Sequence, residues 1–299
     1  MPIGLALGLL ASLCWGCTDV SGAMGSRRVG SVGVLAGSQL ASLALLLVVA
    51  ALNASLLSAS TVPGFATGLA LGVVSAAAYL SFYAALRVGP ISVVSPVVAA
   101  YGGLTVLLAV LFRGESLNGV QALGAVVATS GIVLTGLELG GSVRATRLVG
   151  PGVAVAVVTL VLFAVLTILL AGPVREYGWL PVILGSRLTN TLAGVLLLVV
   201  ALRGRGGRLD PLLGPPGGFS RRAVAIVAFA GACDIAGFVA YTVGLEVAPT
   251  WLVGLSSSFG PALVVLIAVA FLGERLRPSQ WLGLAMLAVG LVVLAVAAG

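Results

Sequence analysis

The chain has no lysine and no histidine among its 299 residues, and only 8% of its side chains are charged. A soluble domain carries about a quarter charged residues, so this composition cannot cover a water-facing surface. The missing histidine excludes His-dependent triads and most metal sites, and the missing lysine excludes a Walker nucleotide-binding sequence. The composition therefore argues against an enzyme, a metal centre, a cofactor site or nucleotide hydrolysis.

Cysteine is also scarce, with three residues in the chain. Two of them lie in Cys14-Trp15-Gly16-Cys17, which has the C-x-x-C spacing of redox motifs. Such motifs belong between a strand and a helix, whereas this one lies inside an apolar run. We interpret the two cysteines as small packing residues on a membrane helix rather than as a redox pair.

Hydrophobic residues make up 60% of the chain and occur in long runs. In lipid each run must satisfy its own backbone hydrogen bonds, so helices of about 20 residues are expected. The first run lacks the basic flank and cleavage site of a signal peptide and is predicted to be a retained span. The ten predicted spans are residues 3–24, 31–52, 65–86, 91–112, 118–137, 150–171, 181–202, 223–245, 249–272 and 279–298.

The two halves of the chain share a pattern of polar, glycine and proline residues at a shift of 159. The matches are Pro90 with Pro249, Gly114-Glu115 with Gly273-Glu274, Leu117 with Leu276, Gln121 with Gln280, Leu123-Gly124 with Leu282-Gly283, and Gly131 with Gly290. Nearer the start of each half, segment 37–40 matches segment 185–188 at a shift of 148. We predict a first five-helix repeat at 1–137, a linker loop at 138–149 and a second repeat at 150–299.

An odd number of spans per repeat makes the second copy enter the membrane from the opposite side. The predicted fold class is therefore an all-α integral membrane protein with ten transmembrane helices in two inverted five-helix repeats.

The distribution of arginines between the loops predicts which side of the membrane each loop faces. Loops after odd-numbered spans contain twelve of them, and loops after even-numbered spans contain only Arg113 and Arg175. The positive-inside rule then places both termini outside the cytoplasmic membrane. The same rule also explains the net charge of +7, which in a soluble protein would suggest nucleic-acid binding. The Arg-Gly-rich loop at 203–222 resembles an RNA-binding tract, but we predict that it meets anionic lipid headgroups and that nucleic acid is not a partner.

A Gly-Glu-x-Leu turn followed by Gln and Leu-Gly occurs in both halves. The chain also opens with Trp15-Gly16-Cys17-Thr18-Asp19 and then Ser26-Arg27-Arg28. This combination resembles the EamA-type repeat of the drug/metabolite transporter superfamily over essentially the whole chain. The resemblance implies a ten-helix fold, a central cavity between the halves, and export or exchange of metabolites, amino acids or drug-like solutes. Members of that superfamily usually have both termini in the cytoplasm, which disagrees with the arginine distribution.

Ionisable residues inside a span are costly and are functional candidates by default. Asp234 lies about 16 Å along the eighth span, close to the midplane, and Arg187 lies about 9 Å into the seventh. If these helices are neighbours, the two form a structural ion pair. The alternative is a direct substrate or proton role for Asp234.

Asp19 lies toward the cytoplasmic end of the first span, one turn beyond Trp15 on the same helical face. A carboxylate beside an aromatic ring suits a cationic or amine group. The alternative is a pair with Arg27 or Arg28. Without histidine the two aspartates are the evident relay groups, so the proton is the candidate coupling ion.

Five further polar residues are candidates for lining a cavity. They are Tyr79, Tyr83, Tyr101, Tyr241 and Ser257. Packing, kinking or a position at the membrane interface would also explain them, and both interpretations remain open. We predict that Glu115 and Glu274 cap the helices that follow them.

The leading hypothesis is a secondary active transporter that moves a small solute by alternating access, with membrane lipid around it and no cofactor. One alternative is an integral membrane enzyme acting on lipid, which would normally require clustered acids or histidines. Another is a lipid-handling or scaffold protein without transport.

Overall fold

The structure, a computed structural model, describes residues 2–53, 61–89, 91–136, 151–203, 219–260 and 278–297. The secondary structure of these ranges is helical. The helices are α1 (Pro2–Leu52), α2 (Thr61–Val88), α3 (Ile91–Ala99), α4 (Tyr101–Arg113), α5 (Gly119–Gly136), α6 (Pro151–Tyr177), α7 (Trp179–Arg203), α8 (Arg221–Val247), α9 (Thr250–Ser257) and α10 (Pro278–Ala297). The predicted linker, most of the loop at 203–222 and the second half of the predicted ninth span lie outside the described residues.

Helix α1 covers the first two predicted spans and bends between them at Gly30. This residue has φ 77° and ψ 162°, a backbone conformation readily open only to glycine. The bend divides α1 into an N-terminal arm, residues 2–29, and a C-terminal arm, residues 31–52. The sequence predicted a loop between the spans, but the helix continues to the bend. Ser26 and Val29 are buried there, where an open loop would leave backbone groups without partners.

The predicted fourth span is interrupted at Ala100, which separates α3 from α4. Pro96 lies inside α3 and cannot donate to the carbonyl one turn earlier, while the N–H of Ala100 donates to the oxygen of Pro96 at 3.1 Å. The predicted ninth span begins with α9, which ends in a turn at Ser258 and Phe259. Phe259 corresponds to Ala100 at the shift of 159, so the two breaks fall at the same position of each half.

Six segments of the described chain are long and apolar enough to cross a membrane. They are Pro2–Leu52, Thr61–Val88, Val93–Arg113, Pro151–Tyr177, Trp179–Arg203 and Arg221–Val247. Helices α5 and α10 contain shorter apolar stretches. Large apolar side chains cover the outer surface, for example Leu111 and Phe112, which are 64% and 74% exposed. Such a surface is suited to lipid, and the chain is a multi-pass membrane protein.

Helices α5 and α10 pack together in antiparallel orientation. Gln121, near the start of α5, donates its Nε2–H to the backbone oxygen of Ala297, near the end of α10, at 3.2 Å. Gly131, further along α5, packs on the backbone of Leu287, earlier in α10. The contact repeats in mirrored form, because Gly290 packs in the same way on Ala128. A shift of 159 converts each of these glycine contacts into the other.

Two further contacts are related to each other in the same way. One joins α2 to α7, and the other joins α8 to the C-terminal arm of α1. A Cβ built on Gly72 would lie 2.9 Å from the backbone oxygen of Ser186. A Cβ built on Gly231 would overlap the backbone oxygen of Ser38. Gly72 corresponds to Gly231 at the shift of 159, and Ser38 to Ser186 at the shift of 148. Glycine at these positions therefore lets equivalent helices approach closely on both sides of the bundle.

Candidate functional site

A cavity with an empty volume of about 710 Å³, its open mouth included, lies between the two halves of the chain. The first half contributes the N-terminal arm of α1 together with α2, α3 and α4. The second half contributes α6, α8 and α9. The two helix breaks border it, because Ala99 and Ser258 line the wall. None of the described cavity-lining residues belongs to α5, α7 or α10.

Aromatic side chains form a large share of the wall. They are Trp15, Tyr79, Phe82, Tyr101, Phe163, Phe238 and Tyr241. The ring of Phe163 has its centroid 5.6 Å from that of Tyr79 and 6.1 Å from that of Tyr101. The rings of Trp15 and Tyr241 are 5.3 Å apart between centroids. These contacts join rings from both halves into one apolar lining, which offers a large contact area to the body of a small molecule.

Arg187 and Asp234 form the ion pair that the sequence allowed. Nη1 of Arg187 lies 2.7 Å from Oδ2 of Asp234, and both residues are 0% exposed. The hydroxyl of Tyr79 donates to Oδ1 of Asp234 at 2.6 Å. The arginine lies behind the cavity wall, with its guanidinium carbon 4.3 Å from the ring centroid of Phe238. A buried pair requires such additional partners, because each ion has lost its hydration.

Two neutral residues extend this buried network and were not among the predicted site residues. Oε1 of Gln39 accepts from Nη1 of Arg187 at 2.6 Å and from Nδ2 of Asn190 at 3.2 Å. Asn190 also donates to Oγ of Ser75 at 2.9 Å. The sequence carried a signal for Gln39, since the shift of 148 that defined the repeat places it on Arg187.

Asp19 lies in the cavity wall and is half-buried. Its Oδ2 accepts a hydrogen bond from the hydroxyl of Ser95 on α3. The pair with Arg27 or Arg28 considered from the sequence is not formed in the described part of the chain. Asp19 is thus held by a neutral partner, in contrast to Asp234.

The remaining predicted residues divide between the cavity and its surroundings. Tyr101 shares a hydrogen bond of 2.6 Å with Ser257, and both line the cavity. Tyr241 also lines it and donates its hydroxyl to Thr167 at 2.6 Å. Tyr83 is buried away from the cavity lining, where its hydroxyl lies 3.3 Å from that of Ser38.

Seven of the nine predicted residues therefore border one cavity. They are Trp15, Asp19, Tyr79, Tyr101, Asp234, Tyr241 and Ser257. Tyr83 and Arg187 pack behind it. The roles of all nine residues in binding or coupling remain predictions.

Glu115 does not cap the helix that follows it, contrary to expectation. Its two carboxylate oxygens accept the backbone N–H groups of Thr250 and Trp251, each at 3.0 Å. It therefore caps α9, in the other half of the chain. The start of α5 is capped instead by Asn118 and Gln121, whose side chains and backbone N–H groups bond reciprocally. The local capping position was already filled, which left the glutamate free for a distant helix. Its counterpart Glu274 lies outside the described residues.

Arg175, at the end of α6, reinforces the Glu115 contact. Its guanidinium donates to the backbone oxygens of Leu245 and Ala248, each at 2.8 Å, and to Oγ1 of Thr250 at 3.1 Å. It also lies 3.7 Å from the carboxylate of Glu115. We call Glu115, Arg175, Thr250 and Trp251 the Glu115 clasp. It joins the two halves at one end of the bundle.

The three cysteines are free, and the described residues contain no group of three acids or cysteines placed to hold a metal ion. Cys14 and Cys17 are both half-buried on the N-terminal arm of α1. The C-x-x-C spacing thus occurs on a continuous helix.

Comparisons with known proteins agree with this architecture. The model of the EamA-like transporter family matches residues 2–137 and 150–296. A solved crystal structure superimposes on the chain with a TM-score of 0.74, covering 97% of this chain and 95% of the other, at 19% sequence identity. At that identity the likeness shows a shared fold. No curated protein matches the chain.

Proposed function

Because the chain belongs to the EamA-like transporter family of the drug/metabolite transporter superfamily, we propose that it is a secondary active transporter for a small solute. The observation that carries the proposal is the cavity between the two matched segments, whose wall is built by residues of both. A solute in this cavity touches both halves, so relative movement of the halves would change the side of the membrane to which it is released.

The spans are proposed to number ten, in two inverted repeats at 1–137 and 150–299. The bend in α1 supports counting it as two spans, and the short break between α3 and α4 supports counting them as one. The strongest support for inversion is the antiparallel pairing of α5 with α10, which are the last helices of the two repeats. Equivalent helices run in opposite directions when one repeat is inverted. The mirrored glycine contacts agree with the same pseudo-two-fold relation.

The Glu115 clasp supports a closed gate at one face of the membrane. It ties the loop before α5 in the first repeat to the start of α9 in the second. Alternating access requires contacts of this kind to break when that face opens and to form when it closes. In the orientation given by the arginines, the clasp lies at the outer face, because Arg113 and Arg175 belong to the outer loops.

The proposed location is the cytoplasmic membrane, with both termini outside and with export or exchange as the direction of transport. A reporter fused after Gly299 tests the orientation. Activity of a reporter that works only outside the cytoplasm is expected. Activity of a cytoplasmic reporter alone would overturn the orientation and leave the transport proposal standing.

Protons are the proposed coupling ion, with Asp19 and Asp234 as the carboxylates that border the cavity. Collapse of the proton gradient across proteoliposomes is expected to slow uptake against a solute gradient. Uptake at an unchanged rate would remove proton coupling from the proposal.

Exchange in proteoliposomes tests the transport proposal itself. Purified protein is screened by thermal shift against metabolites, amino acids and organic amines, and the stabilising solutes are loaded on one side of reconstituted vesicles. We expect saturable uptake of labelled solute that is accelerated by unlabelled solute inside. Uptake no faster than in protein-free vesicles, for every stabilising solute, would contradict the proposal.

A further inference from the structure

Two carboxylates border the cavity, and their surroundings differ. Both oxygens of Asp234 are occupied, Oδ1 by the hydroxyl of Tyr79 and Oδ2 by Arg187 and Gln39. Its charge is therefore neutralised by the arginine, and the residue is fully buried. Asp19 is half-buried and faces the cavity with a hydroxyl as its partner. The described wall of the cavity thus carries one uncompensated negative charge when Asp19 is ionised.

From this arrangement we infer that the cavity binds an organic monocation, an amine with an apolar or aromatic body whose ammonium group lies at Asp19. The inference rests on the proposed function where it concerns transport, and on the cavity alone where it concerns binding. Ser95 donates to Oδ2 of Asp19, and no described residue donates to Oδ1. That oxygen is the acceptor for the ammonium N–H groups of the solute.

The aromatic wall favours the same class of solute. Trp15 lies one turn from Asp19 on the same arm of α1, and the face of an indole ring attracts a cation. Phe82, Phe163 and Tyr101 extend the wall and can cover the apolar body of the amine. An ammonium group held at Asp19 therefore gains both a charge-assisted hydrogen bond and contact with π-faces.

Solutes with a carboxylate are disfavoured by the same geometry. Arg187 lies behind Tyr79 and Phe238, and its guanidinium is committed to Asp234 and Gln39. It is 0% exposed, so a bound anion cannot reach it without breaking the buried pair. No other arginine lines the described cavity. Amines therefore fit this cavity better than the zwitterionic amino acids that the family resemblance implies.

Calorimetric titration of the purified protein in detergent measures this selectivity. The amines are 2-phenylethylamine and cyclohexylamine, and the comparison solutes are 2-phenylethanol, phenylacetate and phenylalanine. We expect the amines to bind, and the neutral, anionic and zwitterionic comparison solutes to bind about tenfold more weakly or worse. Failure of both amines to bind, or equal binding of 2-phenylethanol, would overturn the inference.

Variants locate the binding site. Asp19→Asn is expected to weaken amine binding about tenfold or more, and Asp19→Glu to retain most of it because the charge remains. Glu176→Gln, at an exposed acid at the end of α6, removes the same charge outside the cavity and should leave binding unchanged. Unchanged amine affinity in folded Asp19→Asn, or retained binding in Asp19→Asn with loss in Asp19→Glu, would overturn the assignment.

The transport assay separates the two proposals. If the amine binds at Asp19 and is not transported by proteoliposomes, the inferred site stands and the proposed function fails for that solute. If a carboxylate solute is transported and neither amine binds, transport stands and the inferred solute class is wrong.

Discussion

Gln39 and Arg187 occupy the same position in the two repeats and contact each other, with Nη1 of Arg187 donating to Oε1 of Gln39 at 2.6 Å. Their neighbours follow the same rule, since Ser75 and Asp234 are also equivalent at the shift of 159. At these positions the first repeat carries the neutral residues Gln39 and Ser75, and the second carries Arg187 and Asp234, which form an ion pair.

The buried pair should behave as a unit. Arg187→Gln and Asp234→Ser each copy the residue of the other repeat, and each alone is expected to destabilise the protein by about 3–5 kcal/mol, because one charge is left buried without its partner. The double variant should lose less than the sum of the single variants. Chemical unfolding in detergent measures the double-mutant cycle, and strictly additive losses would contradict the structure.

The hydroxyl of Tyr79 should matter more than that of Tyr83. Tyr79→Phe removes a hydrogen bond to a buried carboxylate at the cavity wall, so a loss of about 1–3 kcal/mol in stability is expected, together with altered transport. Tyr83→Phe removes a contact with Ser38 behind the wall and is expected to leave transport unchanged. The two variants are matched in chemistry. A larger effect on transport from Tyr83→Phe would contradict the placement of the cavity.

The close approach of α5 and α10 predicts a contrast between two glycines on the same helix. A Cβ on Gly131 would lie 2.7 Å from backbone nitrogen of Leu287, whereas a Cβ on Gly119 would meet nothing within 4 Å. Gly131→Ala is expected to cost about 1–3 kcal/mol through overpacking. Gly119→Ala should be neutral or slightly stabilising, because alanine has the higher helix propensity. Thermal unfolding of the two variants compares them, and equal midpoints would count against the pairing.

Loss of the Glu115 carboxylate should release the start of α9. In Glu115→Gln the amide side chain cannot accept both backbone N–H groups as a carboxylate does, so faster hydrogen exchange is expected at Thr250 and Trp251. Glu246→Gln is the matched control, because Glu246 accepts from the backbone N–H of Trp179 at 2.6 Å. A glutamine oxygen can still accept this single N–H, so the control removes a charge and should leave exchange at α9 unchanged. Unchanged exchange at α9 in Glu115→Gln would show that the clasp does not hold this helix.

Which residues of the candidate site the sequence can identify depends on the free-energy cost of placing each side chain in the bilayer. Charged residues inside spans are rare, so the sequence identifies Arg187 and Asp234 as candidates, and their depths allow an ion pair if the helices are neighbours. Gln39 and Asn190 complete the same network but are not distinctive in the sequence, since neutral polar residues cost less and occur in many apolar helices. The repeat register was the signal that could have singled out Gln39.

The prediction that Glu115 caps the helix that follows it was wrong for a different reason. A carboxylate before a helix satisfies the general pattern of a cap, but Asn118 competes for that role and is closer to the helix start. Its actual partners lie 135 and 136 residues away along the chain, and no local pattern specifies that distance. Likewise hydropathy predicted two spans within residues 3–52, whereas the continuous bent form of α1 depended on burial around Gly30.

Solute exchange in a variant with a blocked cavity tests whether transport runs through this cavity. Ala99 lines the cavity and is 7% exposed, so Ala99→Trp is expected to fill the solute space, while Val126→Trp places the same ring on the lipid face of α5, where the residue is 64% exposed. In proteoliposomes with equal amounts of folded protein, we predict that solute exchange is abolished in Ala99→Trp and retained in Val126→Trp. Exchange at the wild-type rate in Ala99→Trp would contradict transport through this cavity.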